Sequence, residues 1–120
     1  MKILVVDDSV FSQKITCNLM KSVLEDAEFF VAGDGEEGLE KYKSIQPDYL
    51  FADLLMPKID GKELIRLVKE LDSAAKIVVI SADVQKNVRE ELEKCNILAF
   101  VNKPLNEEKA KMISTLMKGE

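Results

Sequence analysis

The chain has 120 residues, 47% hydrophobic and 32% charged, the balance of one globular domain with a single core. Seventeen Lys and Arg stand against 22 Asp and Glu, a formal net charge of −5, which disfavours a nucleic-acid or anionic-membrane surface as the main partner. Histidine is absent, which excludes a Ser-His-Asp triad, a histidine-bound zinc and a phosphohistidine on this chain.

Ile3-Leu4-Val5-Val6 is a β-branched run that stops at Asp7 and Asp8, the pattern of a strand buried on both faces. It is too short for a signal-peptide core, and no later run approaches a membrane span, so a soluble cytoplasmic protein is expected. Residues 10–25 carry Phe11, Ile15, Leu19 and Val23 at steps of four, predicting a helix that buries this row and turns Lys14 and Lys21 outward. Phe29 to Ala32 forms a second strand. Asp34 followed by Glu37 is a capping-box variant that opens a helix over 35–45, with Leu39 and Tyr42 on one side. Tyr49 to Ala52 is the third strand, and residues 62–71 predict a helix that buries Leu64, Leu67, Val68 and Leu71. Ile77 to Ile80 repeats the pattern of the first strand. A helix over 84–95 carries the stripe Val84, Val88, Leu92 and Cys95, followed by Asn96 where a left-handed residue is wanted. Leu98 to Val101 is the last strand. Asn106 then caps a helix that has Glu107 and Glu108 at its positive end and Ala110, Ile113 and Met117 on its buried face. Cys17 and Cys95 match no CxxC pattern and are read as small buried hydrophobes in a reducing compartment.

Strands alternating with helices predict an α/β fold, a doubly wound parallel sheet covered on both faces by right-handed crossovers. Ligands bind such sheets beyond the carboxyl ends of the strands. At that edge the sequence places Asp7 and Asp8 after the first strand, Asp53 after the third, Ser81 after the fourth and Lys103 after the fifth. Each acid alone is accounted for as a turn or N-cap residue; their coincidence at one edge is what favours a site. Neighbouring carboxylates repel unless a cation joins them, and an oxygen-only donor set with room for water suits Mg²⁺. A metal held there keeps open positions for a phosphoryl oxygen, while Lys103 and Ser81 can take the others. Asp53 is then the candidate nucleophile, since carboxylates form aspartyl phosphates.

Asp7-Asp8-Ser9, the run Asp53-Leu54-Leu55-Met56-Pro57-Lys58-Ile59-Asp60-Gly61, Ser81-Ala82, and Phe100 with Lys103-Pro104 resemble the receiver domain of bacterial two-component response regulators. The resemblance spans essentially the whole chain with all spacings in order. It implies a flavodoxin-like sheet of order 2-1-3-4-5 with five helices, and one stand-alone receiver over 1–120 of the chemotaxis (CheY-like) type, with no output domain. It implies that Asp53 accepts a phosphoryl group from a histidine kinase or phosphotransfer protein. It further implies that Asp8, Asp53 and the Leu55 carbonyl bind Mg²⁺ with Asp7 acting through water, and that Ser81 and Lys103 hold the phosphoryl oxygens. Phe100 takes the place of an aromatic switch residue, and helix four, strand five and helix five form the surface that meets a downstream protein. The expected protein is a monomer that is no enzyme beyond its own phosphorylation and slow dephosphorylation, binding neither nucleic acid nor membrane. A cis Lys103-Pro104 bond is expected by the same resemblance. From sequence alone a permanently buried core ring is the other reading of Phe100, and Gly61 is read as permitting a turn before the third helix.

Several positions depart from the family pattern. Gln13 stands where an Arg is frequent on a helix face that docks the kinase, and Cys95-Asn96-Ile97 replaces a small-residue run. Leu55 and Asp83, two residues beyond Asp53 and Ser81, are read as setting the lifetime of the phosphorylated state. The rival readings are a haloacid-dehalogenase-type phosphatase, a flavodoxin-like cofactor binder and a receiver-like docking module that is never phosphorylated. Asp7 and Asp8 are adjacent rather than spaced as the first requires, and the loop after the first strand lacks the phosphate-binding hydroxyls of the second.

Overall fold

Strands whose residues are apolar on both sides of the pleat can be buried only between two helical layers, and that is how the chain folds. The computed structural model describes residues 1–82 and 85–119. The order of elements is β1 (Lys2–Val6), α1 (Val10–Val23), β2 (Glu28–Ala32), α2 (Gly35–Ile45), β3 (Tyr49–Ala52), α3 (Gly61–Leu71), β4 (Ile77–Ser81), α4 (Lys86–Glu93), β5 (Ala99–Asn102) and α5 (Glu107–Lys118). The strands form one parallel sheet in the order β2-β1-β3-β4-β5, as expected.

Alternation along the strands divides the core in two. Leu4, Val6, Leu50, Ala52, Ile77 and Val79 face α2, α3 and α4, meeting Tyr42, Leu64, Ile65, Val68 and Leu92. Ile3, Val5, Phe51, Val78, Ile80 and Val101 face α1 and α5, meeting Met20, Leu24, Ala110, Ile113 and Met117. The central strands β3 and β4 are buried throughout, whereas the edge strand β2 leaves Val31 exposed. The half-buried Cys17 and Cys95 pack one against each core as free thiols, and burial pushes the Cys17 thiol up.

The caps follow the sequence. Asp34 accepts from the Glu37 N–H at 2.8 Å, while the Glu37 carboxylate reaches the Gly33 N–H at 2.6 Å, one residue earlier than in a regular capping box. Asn106 caps α5 on the Lys109 N–H at 2.8 Å, and Asn96 has φ 60. The Lys103-Pro104 bond is cis.

Two helices are rotated from their predicted faces. On α1 the buried residues are Gln13, Thr16 and Met20, whereas Phe11 is 75% exposed. A step of four residues advances about 40° beyond a full turn, so a row of four such positions drifts roughly 120° around the helix and cannot stay on one face. On α3 Ile65 is fully buried and Leu71 lies largely in solvent. The phase of this helix is set at its start: a Cβ on Gly61 would stand 2.0 Å from the Asp53 carbonyl oxygen. The glycine is thus required by close approach rather than by a turn; the left-handed residue of this loop is Lys58, with φ 66. Of the predicted α4 stripe, Val84 lies outside the described residues, as does Asp83; Leu92 is buried and Val88 half-buried.

Candidate phosphoryl-acceptor site

The sheet ladder continues one residue past three of the strands, and this positions the polar groups. The Asp7 N–H donates to the Ala32 carbonyl at 3.0 Å, the Asp53 N–H to the Val6 carbonyl at 3.0 Å, and the Lys103 N–H to the Ser81 carbonyl at 2.9 Å. Parallel strands in register therefore bring Asp7, Asp53, Ser81 and Lys103 to one edge. Lys103 Nζ bridges the two acids, 2.9 Å from Asp7 Oδ2 and 2.8 Å from Asp53 Oδ2. Each acid turns its other oxygen to the backbone N–H two residues on: Asp7 Oδ1 accepts from Ser9 at 3.0 Å and Asp53 Oδ1 from Leu55 at 3.2 Å. These bonds fix both carboxylates before any ligand arrives.

Asp7 and Asp53 are buried, while Asp8 is exposed. Even so, carboxylate oxygens of all three lie within 4.8 Å of one another. Three carboxylates against one ammonium leave the cluster with an excess of negative charge. Burial pulls the Lys103 ammonium down, but its hydrogen bonds and attraction to Asp53 and Asp7 outweigh this and raise it above the ordinary lysine value. Lys103 is therefore held charged at neutral pH.

A hard divalent cation of Mg²⁺ type fits this donor set: all side-chain donors are carboxylate oxygens, two are fixed and buried, and one is open to water. Ser81 supplies a second indication. Its hydroxyl is fully buried and has no hydrogen-bond partner among the described residues. A hydroxyl left so costs about 1–3 kcal/mol, and such orphans mark places where a partner is missing.

Leu55 meets the cluster through its backbone N–H, and the residue is 63% exposed. Phe100 is half-buried beside Val79, with the Arg89 guanidinium over its ring. Gln13 differs from the expectation. It is not a docking residue: it is buried, and its amide donates to the Asp7 carbonyl at 2.6 Å and the Ala32 carbonyl at 3.2 Å, tying α1 to the ends of β1 and β2. An apolar groove of about 410 Å³ beside Lys103, lined by Phe11, Ile15, Ile80, Pro104 and Leu105, was not legible from the sequence. The drift of the α1 row is the signal that exposes Phe11.

Acids and a lysine at the carboxyl edge of a five-stranded doubly wound sheet, beside an orphaned hydroxyl, define the class of phosphoryl-accepting α/β domains. The comparisons make it specific: residues 3–114 match the response regulator receiver domain, and the chain belongs to this family. It is 32% identical to the chemotaxis protein CheY of Listeria monocytogenes over 107 residues, covering 87% of each chain, and 34% identical to CheY of Thermotoga maritima, covering 86% of this chain and 85% of that one. It also resembles a protein-glutamate methylesterase/protein-glutamine glutaminase of Geobacter sulfurreducens at 36% identity, but spans only 28% of that protein. Among solved structures, the CheX-CheY-BeF3-Mg complex of Borrelia burgdorferi contains a chain that superposes with TM-score 0.90 at 30% identity, over 98% of this chain and 89% of that one. The phosphatase and flavodoxin readings are thereby set aside. The chain is a receiver domain of CheY-like response regulators.

Proposed function

We propose that Asp53 is the phosphoacceptor of this receiver, charged by the phosphohistidine of a sensor kinase or phosphotransfer protein. The observation that carries this is the Lys103 bridge between Asp7 and Asp53 at an edge where the buried Ser81 hydroxyl has no partner among the described residues. An Asp53 carboxylate oxygen attacks phosphorus; the new O–P bond forms as the P–N bond to the imidazole breaks, and the imidazole leaves with the bonding pair. When bound at this cluster, Mg²⁺ would supply positive charge to offset that of the phosphoryl oxygens. Asp8, Asp53 and the Leu55 carbonyl are the proposed direct ligands, with Asp7 acting through water.

Phosphorylation turns the Asp53 carboxylate into an acyl phosphate and moves its negative charge onto the phosphoryl oxygens, so Lys103 exchanges its contact with the carboxylate for one with a phosphoryl oxygen. Ser81 donates its hydroxyl to another, which satisfies the orphan. Movement of Ser81 leaves room for the Phe100 ring to shift inward, and this carries the change to the surface of α4, β5 and α5, where a target protein binds. The placement of Lys103 and Ser81 at one sheet edge, with Phe100 beside Val79 two residues before Asn102, the ladder partner of Ser81, supports this sequence.

The domain is read as a phosphoacceptor with only its own phosphorylation and dephosphorylation to promote, working in the cytoplasm. The chemotaxis names of its relatives support a motility pathway. No helix among the described residues is long and apolar enough to cross a membrane. The test is intact mass after incubation with Mg²⁺ and acetyl phosphate: wild type gains one phosphoryl group and Asp53→Asn gains none. An adduct that persists in the variant, or never forms in wild type, overturns the proposal.

A further inference from the structure

Val79 pairs with Phe100, and Ser81 with Asn102, in the β4–β5 ladder. Alternation places Val79 and Ser81 on one face of the sheet, and Phe100 lies with Val79 in the core beneath α4. The ring is thus the diagonal neighbour of the buried Ser81, within reach of an aromatic side chain. It stays half-buried, and the Arg89 guanidinium carbon stands 5.3 Å from its centroid. Glu93, one turn further along α4, lies 3.5 Å from Arg89 Nε and helps to orient the guanidinium.

Among the described residues, little else fastens α4. Among its described residues only Leu92 is fully buried, and its ion pair to α3, Lys62 with Glu91 at 3.2 Å, is between exposed side chains and adds little. A helix with so few buried contacts opens easily, so one extra contact weighs on its position. We propose that Arg89 is a latch: stacked on Phe100, it joins α4 to β5 and holds the ring in its outward position, setting the resting bias of the switch. This rests on the reading of Asp53 and Ser81 above only where it links ring position to phosphorylation. Moving the ring toward Ser81 takes it out from under the guanidinium, so the cation–π contact must be given up in the phosphorylated state.

A cation over a partly exposed ring changes an equilibrium constant by about two- to five-fold. The fraction of chains already competent rises by that factor when the latch is removed, and the apparent affinity for a phosphodonor rises with it. In Arg89→Gln the acetyl phosphate concentration giving half-maximal adduct, read by intact mass, falls about two- to five-fold, while Arg89→Lys stays closer to wild type. An unchanged value in Arg89→Gln, or an equal fall in Arg89→Lys, overturns the latch. A second readout needs no phosphorylation. The chain has no Trp, so Phe100→Trp supplies a single indole. Adding Arg89→Gln lowers its acrylamide quenching if the ring moves inward, whereas unchanged or stronger quenching means that the ring was merely covered and overturns the latch. If wild type forms no adduct at all, the Asp53 reading fails and the quenching result alone decides this one.

Discussion

Lys103→Met removes the ammonium that joins Asp7 and Asp53 and leaves a side chain of similar length. In the wild type Lys103 Nζ lies 2.9 Å from one carboxylate and 2.8 Å from the other, and its side chain is 21% exposed against 5% and 8% for the two acids. Removing one partner of a fully buried pair costs about 3–5 kcal/mol. The partial exposure of Lys103 lets water screen the acids, which brings the expected cost to about 2–3 kcal/mol. For a domain of this size, that lowers Tm by roughly 6–15 °C. The lost charge can be replaced from solution. Thermal unfolding with and without saturating Mg²⁺ is therefore expected to show a larger Mg²⁺-induced rise in Tm for Lys103→Met than for wild type, because the cation then relieves uncompensated repulsion as well as binding. A variant as stable as wild type, or one that gains nothing from Mg²⁺, would refute the view that the three carboxylates form one electrostatic unit.

The same lysine sets a pH dependence. Its folded-state pKa is raised, so its stabilising contribution is fully present below the ordinary value of 10.5 and is lost as pH rises through the raised one; urea titrations should show the gap between wild type and Lys103→Met steady from pH 7 to 9 and narrowing only in strong alkali. Gln13→Leu leaves the Asp7 carbonyl without its side-chain donor while the Ala32 carbonyl keeps the Asp7 N–H, so a loss of about 1–3 kcal/mol by urea unfolding is expected, and an unchanged midpoint would return Gln13 to a surface role. Gly61→Ala drives a methyl into the Asp53 carbonyl; overpacking of this kind costs about 1–3 kcal/mol or more, and since it displaces the backbone of Asp53, the proposed acceptor, slower adduct formation should accompany the loss. Leu55→Asn replaces the exposed apolar side chain next to Asp53 with an amide able to hold water, and the half-life of the adduct after removal of acetyl phosphate is expected to change; an identical half-life removes Leu55 from the control of lifetime.

The strands and the site residues at their ends were legible because both are local signals. Ile3 to Val6 and Ile77 to Ile80 are apolar on both pleat faces, and a polar residue just past such a run must lie at the sheet edge. Helix phase was less legible. Phe11, Ile15, Leu19 and Val23 have a helical period, but the drift of four-residue steps leaves open which of them meets the sheet, and Gln13, Thr16 and Met20 took that place. A glutamine on a buried face looks like an error until its two acceptors are known, and those belong to β1 and β2. The need for Gly61 depends on a backbone eight residues earlier that folds back onto it. The contact of Arg89 with Phe100 likewise exists only once α4 lies over β5. What sequence conveys poorly is this class of contact, in which a side chain answers to an element it does not adjoin in the chain.

The most direct measurement is to localise the phosphoryl group chemically in the unmutated protein. Borohydride reduces an acyl phosphate to the alcohol, so a phosphorylated aspartate becomes homoserine. After treatment with acetyl phosphate and Mg²⁺, reduction and proteolysis, homoserine is expected at position 53 and at no other. Homoserine at Asp7 or Asp8, or its absence from every aspartate in protein that carries the added mass, would contradict the assignment of Asp53 as acceptor.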